Sequence, residues 1–299
     1  MAVQDLPIVG DSFNLGFRFQ RYWDTPMANA FFACEFGAGL FLVSLLTDFV
    51  PGMIGGLLVG VGLKTFFHLT HMGVPLQSWR AILRADRSWI SRGLIGIVFF
   101  VFFGAAHIAN QWYGLSTAWN LPWVVGDLVR FGAGAAAVVC MTYQGFAMSH
   151  SSAISLWSTG LMPVSSFVYS AASGVMLVLA TGWNTAFAER PDTRQMLITA
   201  GMYLCFAVAA VLISLLHASR HGSPGARKSF ELLTKDLYAK WFYSLIWIVG
   251  IIVPVLVLWL APTYTAIILA TAAILIGHYS YRVLIFKAGV FEPIMSFRP

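Results

Sequence analysis

Residues 89–113 read WISRGLIGIVFFVFFGAAHIANQWY, a long apolar run whose one arginine, Arg92, stands near its beginning. A bilayer core about 30 Å thick requires roughly 20 apolar residues of helix. This run is therefore long enough to cross a membrane as a helix. A similar run, MIGGLLVGVGLKTFFHLTH, occupies residues 53–71, so two spanning helices are predicted on either side of residues 72–88.

Runs of this kind recur along the whole chain. Hydrophobic residues make up 59% of the 299 residues and charged residues only 10%, whereas a water-soluble globular protein carries roughly 25% charged residues. The runs predicted to span the membrane are residues 27–49, 53–71, 89–113, 122–148, 161–183, 195–217, 241–260 and 263–286. We predict an all-α integral membrane protein with eight transmembrane helices in two four-helix bundles. Small residues at 37–40 and 172–175 form a faint repeat that fits two similar halves.

The distribution of lysine and arginine predicts how the helices are oriented. The loops after the second and sixth runs, together with both chain ends, hold most of the basic residues: Arg18, Arg21, Arg80, Arg84, Arg87, Arg92, Arg220, Arg227, Lys228, Lys235, Lys240, Lys287 and Arg298. By the positive-inside rule this side faces the cytoplasm. We therefore expect a multi-pass protein of the bacterial inner membrane with both termini cytoplasmic. The net charge of +6 requires no nucleic-acid partner.

Three segments are expected from this pattern. Residues 1–25 form an interfacial N-terminal segment, residues 26–287 the transmembrane domain and residues 288–299 a C-terminal tail. The first 25 residues lack the basic start and apolar core of a cleavable signal peptide, so the first spanning helix is expected to belong to the mature fold.

Lys64, His68 and His71 stand four and then three residues apart near the end of the second run. This spacing places all three on one helical face. Such a face can donate a hydrogen bond to a quinone carbonyl and relay a proton, because imidazole changes its charge near neutral pH. The alternative is structural: Lys64 would pair with Glu35 of the first run while the histidines anchor the helix end.

Other ionisable residues are also predicted inside the membrane, where a charged side chain costs about 2.5–3.5 kcal/mol on insertion scales. Besides Glu35, Asp127 and Arg130 lie in the fourth run, three residues apart, and could pair within one helix. A role of these residues in proton conduction is the other possibility. The remaining ones are His107 in the third run, and His278 and Arg282 nearer the exit of the last run.

Two adjacent segments carry a resemblance to a known family. His71-Met72-Gly73-Val74-Pro75 followed by Trp79-Arg80 resembles an H-L-G-x-P and W/F-R element, and Ser88-Trp89-Ile90-Ser91-Arg92 resembles an S-W-x-S-R element. Both are elements of the membrane anchor subunits of bacterial molybdenum enzymes, which include the dimethyl-sulfoxide-reductase anchor and the more distant NrfD and polysulfide-reductase anchors. A weaker third match is the segment at residues 156–164, where Ser155 replaces the proline of the family's P-x-W element.

The resemblance implies an anchor subunit that binds menaquinone or ubiquinone and exchanges electrons with an iron–sulfur subunit, which serves a molybdopterin catalytic subunit. It implies that His71 takes part in quinone binding, with Arg80 in the same element. Members of this family often carry a glutamate directly after S-R, where this chain has Gly93. Glu35 or Asp127 would then have to supply that carboxylate.

By itself the chain is expected to have no activity toward the soluble substrate, because it carries no nucleotide loop and no nucleophile–base pair in a soluble cleft. No iron–sulfur cluster is expected, since Cys34, Cys140 and Cys205 lie in three different runs without a C-x-x-C pair. The resemblance likewise implies an anchor without haem.

Two alternative functions remain open. A haem-b cytochrome anchor could draw its ligands from five histidines: His68, His71, His107, His217 and His278. A secondary transporter would also place charges inside the membrane, beside helices broken by residues such as Pro254.

Overall fold

The computed structural model describes residues 17–119 and 122–292. Most of the expected N-terminal segment, residues 1–16, and part of the expected tail, residues 293–299 with Arg298, lie outside the described residues.

In this part of the chain, eight helices are long and apolar enough to cross a membrane. They are α1 (Thr25–Leu46), α2 (Val50–His71), α3 (Trp89–Tyr113), α4 (Trp123–Ser149), α5 (Leu161–Gly182), α6 (Pro191–Arg220), α7 (Ala239–Leu260) and α8 (Tyr264–Lys287). The protein is therefore a multi-pass helical membrane protein. The predicted fold class is confirmed, and each helix lies within a few residues of its predicted bounds.

Local sequence explains several helix ends. α3 begins after Ser88, whose hydroxyl accepts a hydrogen bond from the Ser91 N–H, and it ends at Gly114, whose backbone adopts the left-handed conformation with φ 58°. α6 begins at Pro191, because proline fits the first helical position, where no intrahelical N–H bond is needed. Consequently α6 starts earlier than its apolar run alone indicated.

Two of the spanning helices contain π-helical stretches, Leu58–Leu63 in α2 and Phe242–Ile252 in α7. The first stretch ends directly before Lys64. Such widened turns occur often at functional sites because they change which residues a helix presents to its neighbours.

Short elements connect the helices on the side where α2 ends. A 3₁₀ helix (Pro75–Arg84) follows α2, and a connector helix (Pro224–Thr234) lies between α6 and α7. Two short strands, β1 (Arg18–Phe19) and β2 (Val290–Phe291), pair antiparallel there and bring the two ends of the described chain together. This face, which carries the loops that follow α2 and α6, is called the arginine-rich side below. On the opposite side, a short helix (Leu115–Ala118) follows α3.

The eight helices pack as two groups of four, α1–α4 and α5–α8. α1 and α5 are central, because α1 packs on α2 and α4, α5 packs on α6 and α8, and the two central helices pack on each other. Their contact is very close: a Cβ atom built on Gly39 would lie 1.9 Å from the Ser170 backbone oxygen, and one on Gly174 would lie 2.3 Å from the Gly39 oxygen. The faint repeat in the sequence therefore marks two glycine-containing segments that meet at the centre of the fold.

Gly39→Ala should lower the free energy of unfolding by about 1–3 kcal/mol or more, the usual cost of overpacking. The added methyl group meets backbone atoms, which cannot rotate away. Thermal unfolding of the purified protein in detergent measures this effect. Gly62→Ala in α2 is the matched control, since a Cβ atom there meets nothing within 4 Å. Equal unfolding temperatures for the two variants would contradict the close α1–α5 contact.

Candidate functional site

A buried ionic network joins α1 to α8 at the centre of the helical domain. Glu35, His278 and Arg282 are all fully buried, each with an exposed fraction of 0%. Arg282 donates to both carboxylate oxygens of Glu35, from Nε to Oε2 at 2.6 Å and from Nη2 to Oε1 at 2.6 Å. This bidentate arrangement is the strongest pairing geometry available to a carboxylate.

His278 extends the network toward α5. Its Nε2 atom lies 3.0 Å from Glu35 Oε2, and its Nδ1 atom lies 2.9 Å from the Ser173 hydroxyl. With the proton on Nε2, the imidazole donates to the carboxylate and accepts from the serine. Arg282 Nη2 also donates to the Ser166 hydroxyl at 2.5 Å. The network therefore contains donors and acceptors from α1, α5 and α8.

The sequence identified Glu35 as a candidate, and the structural alternative paired it with Lys64. That alternative is wrong: within the described residues Glu35 pairs with Arg282, 247 positions away in the sequence. His278 and Arg282 lie in the second half of α8, nearer its exit, and both are fully buried there. Their four-residue spacing, which puts both on one face of α8, was the available signal.

Lys64 and His68 line a separate cavity of about 300 Å³. Its walls come from α1, α2, α3, α4 and the 3₁₀ helix, and most of them are apolar or aromatic: Trp23, Met27, Phe31, Thr65, Leu69, Met72, Ser78, Trp79, Ala81, Ile82, Ile90, Leu94, Tyr143 and Ala147. We call this space the α2 cavity. An apolar pocket with a few polar groups is the usual form of a small-molecule site, and the volume is at the lower end of the usual range.

Two of the residues that line the α2 cavity, Lys64 and His68, have ionisable side chains. His68 Nδ1 is buried without a hydrogen-bond partner within the described residues. Lys64 is 7% exposed, and its Nζ atom lies 6.0 Å from the centre of the Tyr143 ring. An unpaired buried polar atom costs about 1–3 kcal/mol, so a ligand acceptor that reached the enclosed His68 Nδ1 atom would stabilise it. The donor set fits a quinone carbonyl.

Tyr143 and Gln144 connect the α2 cavity with the ionic network. The Gln144 amide satisfies its neighbours in the orientation in which its nitrogen donates to Phe31 O at 3.0 Å and to Glu35 Oε1 at 3.2 Å. Its oxygen then accepts from the Tyr143 hydroxyl at 3.2 Å. Since Tyr143 also lines the cavity, a continuous hydrogen-bonded connection runs from the cavity wall to Glu35.

The other candidate residues near this side lie outside the cavity wall. His71 Nδ1 lies 3.1 Å from Asp24 Oδ1 at the start of α1. Arg80 is exposed on the 3₁₀ helix and donates to the Gln77 side chain at 3.1 Å. Thus the expected face of three residues is divided: Lys64 and His68 face the cavity, and His71 pairs with Asp24.

Asp127 and Arg130 lie toward the opposite side of the domain. The pairing within α4, one of the two alternatives, is not formed, because Arg130 Nη2 contacts Asp48 Oδ1 at 3.1 Å and donates to Leu45 O at 2.9 Å, while Asp127 is exposed. Nearby, His107 is 3% exposed, and neither ring nitrogen has a partner in the described part of the chain. The structure therefore does not join Asp127 or Arg130 to the α2 cavity.

Comparison with known proteins gives one family. A family model described as "Polysulphide reductase, NrfD" matches residues 15–293, nearly the whole chain. No curated protein matches the sequence.

Arg282→Gln should destabilise the protein by about 3–5 kcal/mol, because it leaves the Glu35 carboxylate buried without its cation. The double variant Glu35→Gln, Arg282→Gln should recover part of this loss, since neither group then carries a charge. Unfolding temperatures of the wild type, both single variants and the double variant form a double-mutant cycle that measures the coupling.

Arg130→Gln is the matched control for this cycle. Its ion pair with Asp48 is partly exposed on both sides, so its loss should cost about 1 kcal/mol or less. Additive effects of the two changes at Glu35 and Arg282 would show that the pair is not coupled as the geometry requires.

Proposed function

The chain belongs to the polysulphide reductase NrfD family and is a membrane subunit of a redox complex, and we propose that it binds a membrane quinone in the α2 cavity. The observation that carries this proposal is the cavity itself, in which two ionisable potential donors, Lys64 and His68, lie in a mostly apolar and aromatic wall. A quinone head group has the matching chemistry, because it is a flat apolar ring with carbonyl acceptors.

In this proposal, the bound quinone exchanges electrons with a partner subunit. Menaquinone or ubiquinone would exchange two electrons and two protons there, with an iron–sulfur subunit as the electron partner and a molybdopterin subunit as the site of substrate chemistry. The chain's own residues then have three tasks: they orient the head group, exclude bulk water and supply or remove protons.

Lys64 and His68 perform the first task in this proposal. They stand four residues apart on one face of α2, so both polar ends reach the same cavity. His68 is the more specific of the two, because its buried Nδ1 atom has no other partner among the described residues. His71 acts at the edge of the site, where it holds Asp24 and so fixes the start of α1 against the end of α2.

Buried polar residues fix one wall of the cavity from inside the domain. Tyr143 lines the cavity and, through the Gln144 amide, is connected with Glu35 and His278. An amide holds its protons tightly, so Gln144 is better suited to fix the Tyr143 hydroxyl than to pass a proton onward. We therefore assign Glu35 a positioning role that acts on the cavity through Gln144 and Tyr143.

The arginine-rich side is the proposed contact for the iron–sulfur subunit. The 3₁₀ helix forms part of the cavity wall and exposes Leu76, Trp79 and Leu83 together with Arg80 and Arg84. A mixed aromatic and basic surface next to the quinone site fits an acidic partner, since charge complementarity guides association. In the proposed topology this side faces the cytoplasm of a bacterial cell, with both termini there.

His68→Leu should weaken quinone binding and lower kcat/KM for quinol by about 10- to 100-fold, the loss expected when one buried hydrogen bond of 1–3 kcal/mol is removed. Lys64→Met should have an effect of the same order. The measurement is turnover of a soluble quinol analogue by the purified complex, together with equilibrium binding of the same analogue.

His217→Gln on α6 is the control, because His217 is exposed and does not line the α2 cavity. His71→Ala should impair turnover less than His68→Leu does, since His71 pairs with Asp24. Normal quinol binding by both cavity variants in a correctly assembled complex would refute the site. A larger loss in His71→Ala would move the site to the end of α2.

A further inference from the structure

A second concave surface lies on the arginine-rich side, between the beginnings of α1 and α7. Its volume is about 600 Å³, and α8, which packs on both of these helices, forms its floor. Thr25 stands at its α1 edge, Tyr238 and Trp241 at its α7 edge, and Lys287 at the end of its floor. We call this surface the interfacial groove.

The groove changes from polar to apolar along the helix axes. Lys287 is the last residue of α8 and is exposed, whereas Val283 and Tyr279 lie one and two turns deeper along the same helix. Trp241, at the start of α7, is 53% exposed, and tryptophan at such a position typically marks the boundary between lipid head groups and acyl chains. The groove thus has a charged mouth, an aromatic middle and an apolar depth.

Positive charge is concentrated at its mouth. Lys287 also lines a smaller adjoining pocket, which adds Arg21, and Lys240 Nζ lies 5.8 Å from the centre of the Trp241 ring. The one carboxylate in the lining of that pocket, Asp24, is engaged by His71. The surroundings of the groove therefore carry an excess of cations.

We propose that the interfacial groove binds an anionic phospholipid, with the phosphate group between Lys287 and Arg21 and the acyl chains along Val283 and Tyr279. A phospholipid matches this gradient from charged to apolar. Its anionic head group would lie at the ends of the helices, and its acyl chains would lie between them. Basic pockets between transmembrane helices bind anionic head groups for this reason. The bound lipid would fill the gap between α1 and α7 above α8, which packs on both.

The test uses the full-length protein in nanodiscs. Wild-type protein is reconstituted in phosphatidylcholine containing a graded fraction of phosphatidylglycerol, and native mass spectrometry counts the phosphatidylglycerol molecules that the released protein retains. We expect preferential retention of phosphatidylglycerol over phosphatidylcholine. Lys287→Gln should weaken it about fivefold, since a basic residue near a membrane surface contributes about 1 kcal/mol.

Two variants separate the groove from general surface charge. Arg227→Gln removes an exposed cation of the connector helix outside the groove and should leave retention unchanged. Val283→Trp fills the groove without a change in charge and should lower retention of both lipids; its unfolding temperature checks that the protein is folded. Equal losses in Lys287→Gln and Arg227→Gln, or no preference for phosphatidylglycerol, would overturn the proposal. Unchanged retention in folded Val283→Trp would do so as well.

Discussion

The Glu35 carboxylate sits inside a helical domain where it is fully buried, and the rest of the architecture accommodates this charge. A buried ionised group is tolerated only when protein groups replace its hydration. Arg282 and His278 of α8 and Gln144 of α4 do so directly, while Ser173 of α5 supports the histidine. Because α1 and α4 belong to one group of helices and α5 and α8 to the other, the same contacts hold the two halves in register.

The same central helices also approach closely through their backbones. The ion pair distances of 2.6 Å hold α1 to α8, and Gly39 and Gly174 are the residues that permit the separate close contact of α1 with α5. Association of helices within lipid depends on close packing of this kind, since lipid tails are as apolar as the side chains. The glycines and the ionic network are therefore two parts of one arrangement: the glycines bring the helices together, and the network sets their register.

Hydropathy predicted the eight helices because each one, taken alone, must be long and apolar enough to cross the lipid with its backbone hydrogen bonds made internally. The residues around the site were harder to predict, since their partners depend on which helices meet. Lys64 was a possible partner of Glu35, yet it lines the α2 cavity, and the carboxylate is paired by Arg282 from the other end of the chain. The helical spacing of Lys64 and His68 indicated one shared face correctly. It could not indicate that His71, three residues on, would be drawn to Asp24.

The two halves of the domain use their interiors differently, although their helices are arranged alike. The α1–α4 half keeps the α2 cavity open, with polar atoms of α2 facing it. In the α5–α8 half, Tyr169 stacks on His278 and on Tyr281 with ring centres 5.0 and 4.6 Å apart, so aromatic side chains fill the space beside the network. This packing holds Arg282 and His278 in place, and through Glu35, Gln144 and Tyr143 the second half supports one wall of the cavity. The domain thus places the α2 cavity in one half and part of the support for its wall in the other.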